Sequence, residues 1–258
     1  MNRRTQGMKY SLTAFAAASA LLFSATVSAD ILSVEAEVQY WQAKPSGGHT
    51  PQVVTLPGGV EIDNEQREYF WSDSGQARLG VSLYHFIPFI PNIKVETQQL
   101  KYSAARDIIT IGGTPYTVDL DLGHETYTLF YAPLDNGLTE FKFGVSLKQF
   151  DGHITEFQAA SSTAVWRIKE DVYSGYVRGA ASLPFTGFSV VAQGHVGVGS
   201  HDTYDVEAAV RYRFLDSMMF DGHLSLGYRS MKLHFNNERS INTYHEFKGP
   251  FLNLALRF

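Results

Sequence analysis

Apolar and polar side chains alternate along most of this 258-residue chain, and this alternation constrains the fold more than any other feature. In residues 205–214 the even-numbered positions are apolar or aromatic, whereas most odd-numbered positions are charged. Successive side chains of a β-strand point to opposite faces, so a period of two indicates strands that separate two different environments. The same division recurs in residues 32–40, 140–149 and 220–229. The sequence therefore predicts an all-β fold.

The sequence predicts ten segments with this alternation. Tight and long connections alternate between them. An even number of antiparallel strands with tight turns on one side is typical of an up-and-down β-barrel, and strands of about 9–11 residues can cross a bilayer when tilted. The predicted strands are residues 31–43, 76–87, 92–104, 116–132, 138–149, 171–184, 188–199, 204–214, 219–235 and 245–258. The tight turns are residues 88–91, 133–137, 184–187 and 215–218, and the long polar loops include residues 44–75 and 151–170.

An eight-stranded barrel is the alternative to ten strands. It would result if residues 92–104 and 116–132 formed an extracellular hairpin extension, or if the sixth strand were broken. The alternation changes parity between Leu122 and Tyr127, which predicts a β-bulge at that place.

The positions of aromatic and small residues favour a transmembrane barrel over a soluble one. Trp41 and residues 69–71 bracket the first long loop, and the pairs Phe86 with Phe89 and Phe185 with Phe188 flank two tight turns. Aromatic residues gather where a barrel meets the two membrane interfaces. Small residues on the charged face would leave room for long charged side chains inside a narrow barrel. They are Gly80, Ser82, Gly144, Ser146, Gly197 and Gly227.

The N-terminus has the pattern of a secretory signal peptide. Basic residues Arg3, Arg4 and Lys9 accompany an apolar run over residues 12–27, and small residues follow before Asp30. We therefore expect two parts, a signal peptide over residues 1–29 and a β-barrel over residues 30–258.

The C-terminus ends an alternating strand with Phe258, and this resembles the insertion signal of bacterial outer-membrane proteins. The chain also resembles a group of uncharacterised proteobacterial outer-membrane β-barrel proteins in the segments SATVSAD, ILSVEAEVQYW, PSGG and LNLALRF. The resemblance implies the bacterial outer membrane, with both mature termini in the periplasm. The implied partners are outer-membrane lipids, lipopolysaccharide and, through Phe258, the barrel-insertion machinery.

Two sets of residues are candidates for catalysis. The ten-strand count resembles that of the omptin proteases, for which Asp119 and Asp121 with His201 and Asp202 would be the rim acids and acid–histidine couple. Asp119 and Asp121 share a face and could both point into the lumen, although solubilising loop acids are the favoured interpretation. No other segment resembles the omptin motifs.

The second set is Asp221, His223 and Ser225, which lie in a row on one strand face and resemble the residue types of a lipid hydrolase. Alternate residues of a strand are about 7 Å apart, so direct hydrogen bonds along the row are not expected. We expect these three side chains to belong to a lumen network, and no Gly-x-Ser-x-Gly segment is present.

Metal, cofactor and nucleic acid binding are not expected. The chain has no cysteine and its nine histidines are scattered, while 26 acidic residues outnumber 21 Lys and Arg residues. His195 and His223 should face the lumen on either side of Glu207. Ion pairs with nearby arginines should satisfy these groups, because an unpaired buried charge is costly. The arginines are Arg178, Arg211 and Arg229.

Three functions remain open, and none includes a catalytic or cofactor-binding residue that we would assign. The first is a structural or surface-interaction protein of the outer membrane with a largely plugged polar lumen, since small barrels are nearly filled by side chains. The second is a narrow passive pore for small polar solutes. The third is a protease or lipid hydrolase with its site at the rim.

Overall fold

The computed structural model describes residues 32–51, 67–68, 70–106, 116–158, 162–199, 202–217, 219–235 and 241–258. These residues form one sheet of fourteen β-strands. The strands are β1 (Leu32–Pro51), β2 (Arg67–Glu68), β3 (Phe70–Trp71), β4 (Ser74–His85), β5 (Asn92–Gln98), β6 (Lys101–Arg106), β7 (Tyr116–Asp121), β8 (His124–Asp135), β9 (Thr139–Gln158), β10 (Ser162–Ser182), β11 (Phe188–Gly197), β12 (Tyr204–Asp216), β13 (Asp221–Phe235) and β14 (Ile241–Arg257). Within these ranges no helix is long and apolar enough to cross a membrane. The signal-peptide prediction for residues 1–29 lies outside the described residues.

Ten of these strands close into an antiparallel barrel in the order β1, β4, β5, β8, β9, β10, β11, β12, β13 and β14. Pairing of β14 with β1 completes the ring, for example at Tyr40 and Leu252. The prediction of a ten-stranded up-and-down barrel is confirmed. The eight-stranded alternative is wrong, because β5 pairs with both β4 and β8 and is therefore part of the wall.

The four tight turns and the C-terminus lie at one end of the barrel, which we call the turn end. There the backbone N–H of Val34 donates to the carbonyl of Phe258 over 2.7 Å, so the first and last strands are fastened together. The opposite end, the loop end, is taller, because β7 pairs with β9, β6 with β7 and β3 with β6 above the ring.

The strands at the loop end are longer than the sequence predicted. Residues 44–51 and 151–158 belong to β1 and β9, and β10 begins at Ser162, although all three regions were expected to be loop. The prediction was wrong because it limited each strand to the length that crosses a bilayer. These strands continue beyond the membrane.

The bulge expected between Leu122 and Tyr127 is absent from the described pairings. The register of β6 with β7 at Lys101 and Asp121 continues without a shift into that of β5 with β8 at Gln98 and His124. What changes there is the chemistry of the inward face and not its parity. Register shifts occur instead near the turn end, in β8 after Tyr131 and in β12 after Arg213.

A band of exposed apolar side chains surrounds the half of the barrel next to the turn end. Its members project outward from all ten barrel strands, as expected for the lipid-facing surface of a transmembrane barrel. Examples are Val38, Leu79, Val95, Leu129, Val145, Val177, Val190, Val210, Leu226 and Leu254. We call this half the membrane segment and the half toward the loop end the extramembrane segment. Exposed tyrosines lie at the boundary between them, as interfacial anchors do: Tyr40, Tyr127, Tyr173 and Tyr228.

Candidate functional site

The inside of the barrel changes character at the same height as the outside. On β9 the outward side chains are apolar up to Leu147 and polar at Gln149, Asp151 and His153, whereas the inward side chain is Lys148 below this level and Phe150 and Ile154 above it. Other strands make the same change at the same level. The inward polar and apolar neighbours are Gln39 and Trp41, Gln98 and Leu100, His124 and Leu122, Ser174 and Val172, Arg229 and Met231, and Asn253 and Phe251.

Near the turn end, the lumen of the membrane segment is occupied by charges around Glu140. Its carboxylate accepts from Arg178 Nε over 2.6 Å and pairs with Lys142 Nζ at 3.3 Å and Arg211 Nη1 at 3.6 Å. Lys142 also donates to the hydroxyl of Tyr84 over 2.8 Å. One carboxylate thus holds together cations from three strands.

A second group of charges crosses the middle of the lumen. Lys94 Nζ lies 2.7 Å from Glu37 and 3.1 Å from Glu96, and Arg78 lies 3.4 Å from Glu96 and 3.0 Å from Glu207. The four strands that contribute these residues are therefore linked through the lumen as well as through backbone hydrogen bonds. Gly80 leaves room beside this group, since a Cβ there would come within 2.8 Å of Glu37 Oε1 and would displace the Glu37 side chain.

A third group lies just below the extramembrane segment and is centred on Asp205. Arg229 forms a two-pronged pair with it, Nε to Oδ1 at 2.7 Å and Nη2 to Oδ2 at 2.8 Å, and Lys148 Nζ lies 2.6 Å from Oδ2. Arg229 also donates to Gln98 over 2.7 Å and lies 4.4 Å from the ring centre of Trp41. Its guanidinium therefore joins the charged lumen to the apolar layer above.

Seventeen buried apolar side chains fill the inside of the barrel above these charges. We call this cluster the apolar plug. Its rings interlock, with Phe150 and Phe235 centred 5.1 Å apart and Tyr102 stacked on Phe247 at 5.5 Å. Its members are Trp41, Ala43, Leu100, Tyr102, Ala104, Val118, Leu120, Leu122, Phe150, Ile154, Ile168, Val172, Met231, Leu233, Phe235, Phe247 and Phe251. Trp41 was expected at the membrane interface, but it is buried here, where its indole donates to the carbonyl of Gly249 over 3.1 Å.

Three cavities within the described residues are small. The one at the turn end measures about 50 Å³, one beside Glu207 about 30 Å³ and one beside His195 about 10 Å³. A buried water needs roughly 10–15 Å³ on this measure, so these spaces hold only a few water molecules.

The residues of the first catalytic hypothesis are not brought together. Asp119 and Asp121 lie on the outer surface, where Asp119 accepts from Ser103 over 2.7 Å and Asp121 pairs with Lys101 at 2.8 Å. The expectation that both could point into the lumen was wrong, because the extramembrane segment has its apolar side chains inside. Asp202 pairs with Lys232 on another part of the barrel, and His201 lies outside the described residues.

The residues of the second hypothesis are separated as well. His223 Nε2 lies 3.2 Å from Asp221 beside the cavity at the turn end, whereas Ser225 lines the cavity beside Glu207. A different serine contacts a histidine: Ser146 Oγ lies 2.8 Å from His195 Nδ1. Both side chains are buried in the lumen wall, where Ser174 completes the hydrogen bonding of Ser146 at 2.8 Å.

The sequence correctly predicted ion pairs in the lumen but not which residues form them. Glu207 pairs with Arg78, while Arg178 and Arg211 pair with Glu140. Two further lumen charges, Lys94 and Glu96, could have been found by applying the alternation to residues 92–98, where their neighbours Ile93 and Val95 face outward. Among the described residues, no three His, Asp or Glu side chains form a group that could hold a metal ion.

Two buried histidines, His49 and His245, lie in the extramembrane segment, beyond the charged lumen. His245 is fully buried beside Trp71 and Phe247, with ring centres at 5.6 and 6.1 Å, and neither of its nitrogens has a hydrogen-bond partner within the described part of the chain. Burial, with a smaller contribution from His49, lowers the pKa of His245 to about 3. The imidazole is therefore neutral near neutral pH.

Comparison with known proteins finds only distant structural similarities, so the description of the fold rests on the strand pairings given above. No family model and no curated protein matches the chain. The translocator domain of autotransporter NalP from Neisseria meningitidis is similar with a TM-score of 0.48 and 11% identity, covering 98% of this chain and 95% of that one. The transport unit of the autotransporter AIDA-I from Escherichia coli gives a TM-score of 0.41 and 8% identity, covering 99% and 98%. A Pseudomonas aeruginosa FadL homologue gives 0.31 and 8%, covering 89% and 90%.

These likenesses are too distant to indicate a function. The resemblance to uncharacterised outer-membrane barrel proteins stays a prediction, while the closed antiparallel barrel that it implies is confirmed by the strand order.

Proposed function

We propose that this protein is a closed barrel of the bacterial outer membrane with a structural or surface-interaction role. The observation that carries the proposal is the apolar plug, which fills the barrel above a lumen already occupied by paired charges. An ion crossing this barrel would have to leave water for an apolar layer, which is strongly unfavourable. The passive pore is the weaker hypothesis for that reason, and the proposal includes no enzymatic reaction.

The proposed location follows from the two ends of the sequence. Residues 1–29 would direct export and be removed, and Phe258 would be read by the barrel-insertion machinery. The fastening of Phe258 to Val34 supports this, because both mature ends then lie at the turn end, which would face the periplasm. Outer-membrane lipids would contact the membrane segment, with lipopolysaccharide around its upper part.

Single-channel conductance in a planar bilayer tests the closed lumen. The refolded wild-type barrel, with folding verified by its gel mobility before and after heating, should show no steady openings. The double variant Phe150→Ala with Phe247→Ala removes two rings of the apolar plug and should produce openings that increase with salt. The outward substitution Val165→Ala serves as the matched control and should stay silent. Steady openings of the wild-type protein would overturn the proposal in favour of the passive pore.

A further inference from the structure

The cavity of about 50 Å³ at the turn end is a cup that opens at the end of the barrel and closes toward the lumen. At its mouth Asp135 and Arg257 are partly exposed, whereas Glu140 at its floor is mostly buried. Glu35 and Arg211 belong to its wall. We call this space the turn-end cup.

Cross-strand pairing places Arg257 of β14 between two inward-facing carboxylates. Its partner on β1 is Glu35 and its partner on β13 is Asp221. Such neighbours have Cβ atoms about 4.5–5.5 Å apart, so opposite charges at these positions are expected to pair. Arg257 instead reaches toward Asp135, at 3.6 Å, and its Nε donates to Ser33 over 3.1 Å. Neither neighbouring carboxylate is therefore satisfied by this arginine.

Glu35 is the carboxylate that this arrangement leaves without a cation. Within the described ranges no Lys, Arg or His nitrogen lies within 4.0 Å of its oxygens. Its carboxylate accepts one long hydrogen bond there, from the Tyr84 hydroxyl over 3.5 Å. A partly buried carboxylate without a cation is unfavourable, so a ligand that brings a positive group to Glu35 would be stabilised.

The arginines of the cup have donors that the protein does not use. Arg211 donates from Nε to Ser189 over 2.9 Å, but its Nη1 is 3.6 Å from Glu140, beyond hydrogen-bond distance. The η nitrogens of Arg257 make no hydrogen bond to the described residues either. Arg229, deeper in the lumen, differs because all three of its nitrogens donate. A guanidinium with unused donors is suited to bind a carboxylate.

The charge and size of the cup restrict what can bind there. Four cationic and four acidic side chains line it, so a ligand with only one sign of charge would be repelled by half of them. A volume of about 50 Å³ corresponds to roughly three to five water molecules, which is enough for a small head group but not for a peptide. The apolar plug closes the barrel above. A ligand must therefore enter from the turn end, carry both charges close together and leave its remaining atoms outside.

We propose that the turn-end cup binds the zwitterionic head group of a free α-amino acid, with the side chain of the amino acid directed outward. The carboxylate of the ligand accepts from the unused η nitrogens of Arg211 and Arg257, and its ammonium group donates to Glu35. This binding site goes beyond the structural or interaction role proposed above. Only its exposure to the periplasm rests on the proposed orientation of the barrel.

Titration with glycine tests the site, with the barrel refolded in deuterated detergent micelles at pH 7 and binding followed by saturation-transfer NMR. Glycine should bind with a Kd of about 1 mM, as expected for so few contacting atoms. Two probes of nearly the same shape each lack one charge: propionate has a methyl group in place of the ammonium, and glycinamide has no carboxylate. Each should bind about tenfold more weakly, because a hydrogen bond between charged groups is lost. Equal binding of glycine and either probe would contradict a zwitterion site.

Variants at the two ends of the ligand locate it in the cup. Glu35→Gln should weaken glycine about tenfold and leave propionate unchanged, whereas Arg257→Gln should weaken both probes. Asp151→Asn, on the outer surface of the extramembrane segment, is the matched control and should change neither. Folding of every variant is verified by gel mobility before and after heating. If Glu35→Gln does not fold, the partly exposed Arg257 and the comparison of probes on the wild type still decide the question.

Two results would overturn the proposal. One is the absence of saturation transfer to glycine, well above the expected Kd, in a wild-type barrel verified as folded. The other is glycine binding that neither Glu35→Gln nor Arg257→Gln alters, since the ligand would then lie elsewhere. Binding in micelles requires neither export nor a closed lumen. A negative result here therefore leaves the closed barrel standing, and channel openings of the wild type would leave this site standing.

Discussion

The membrane segment and the extramembrane segment are built from the same strands but have opposite faces. In the membrane segment lipid surrounds apolar side chains and the lumen contains ion pairs such as Arg229 with Asp205. In the extramembrane segment water surrounds a mostly polar outer face and the inside is the apolar plug. The backbone continues through both without a change of parity, as the pairing of β9 with β10 from Gln158 to Thr139 demonstrates. The surrounding solvent, and not the strand geometry, decides which face is apolar.

The largest expected effect comes from breaking the charge network inside the membrane segment. Asp205→Ala would leave Arg229 and Lys148 buried without their carboxylate, and removing one member of a buried ion pair costs about 3–5 kcal/mol. The exposed, outward-facing Asp151 of the extramembrane segment is the matched control, and Asp151→Ala should change stability by less than about 0.5 kcal/mol. Urea unfolding in vesicles measures both. Similar losses would mean that the two segments do not differ in their interior.

A charge on the outer face should matter in one segment only. Val210→Arg places a cation in the middle of the lipid-facing band and should cost about 2–4 kcal/mol and impair assembly. The same substitution at Val165, which is exposed on the extramembrane part of β10, should be within about 0.5 kcal/mol of neutral. The yield of heat-modifiable, folded barrel reports assembly.

The neighbour of Val210 provides a second control. Arg211 faces inward, and Arg211→Ala removes only a distant pair with Glu140 and a hydrogen bond to Ser189, so its effect should be milder than that of Val210→Arg. Equal losses for these two variants would contradict the outward position of the apolar face.

Acid should weaken the extramembrane segment through His245. The pKa of His245 is about 3 in the folded protein and about 6.5 in the unfolded chain. Between these two pH values the folded state keeps the imidazole neutral, whereas the unfolded chain binds a proton. This contribution to stability is complete above pH 6.5 and is lost as the pH falls from there toward 3. His245→Phe should flatten the dependence of the urea midpoint on pH in that window. An unchanged slope would indicate that His245 is not protonated on unfolding.

Removal of an exposed ion pair should have the smallest effect. Lys232 and Asp202 lie 2.5 Å apart at the surface of the extramembrane segment, and surface pairs of this kind contribute little. Lys232→Ala should leave the urea midpoint within experimental error, in contrast to Asp205→Ala. A loss comparable to that of Asp205→Ala would mean that this pair is not an ordinary surface contact.

Much of the fold could be predicted from the sequence because faces alternate with a period of two. The position of Val210 on the outer face and of Arg211 on the inner face follows from that rule alone. The reversal of faces at Lys148 and Phe150 is also visible in the sequence. The rule that each strand has one apolar face predicts a loop there, because the apolar side chains move to the other face. The apparent parity change after Leu122 has the same cause: the inward face changes there from apolar to polar, and this change led to the prediction of a bulge.

The contacts across the lumen could not be predicted in the same way. Arg229 meets Gln98 from the opposite side of the ring, 131 residues away in the chain, and only the closed geometry decides which side chains share a level. The left-handed conformation of Phe89 was equally hidden, since a Pro-Phe pair predicts a turn without fixing the sign of φ at its third position.

The reversal of faces along one strand can be measured directly, because the chain contains no cysteine. Single cysteines at Val145, Leu147, Asp151, His153 and Ile154 of β9 would be treated with a membrane-impermeant maleimide in vesicles that display the loop end outward. We predict labelling at the outward positions 151 and 153 only, with the lipid-facing positions 145 and 147 and the buried position 154 protected. Equal labelling of 145 and 151, or labelling of 154 in the folded barrel, would contradict the reversal and the closed interior together.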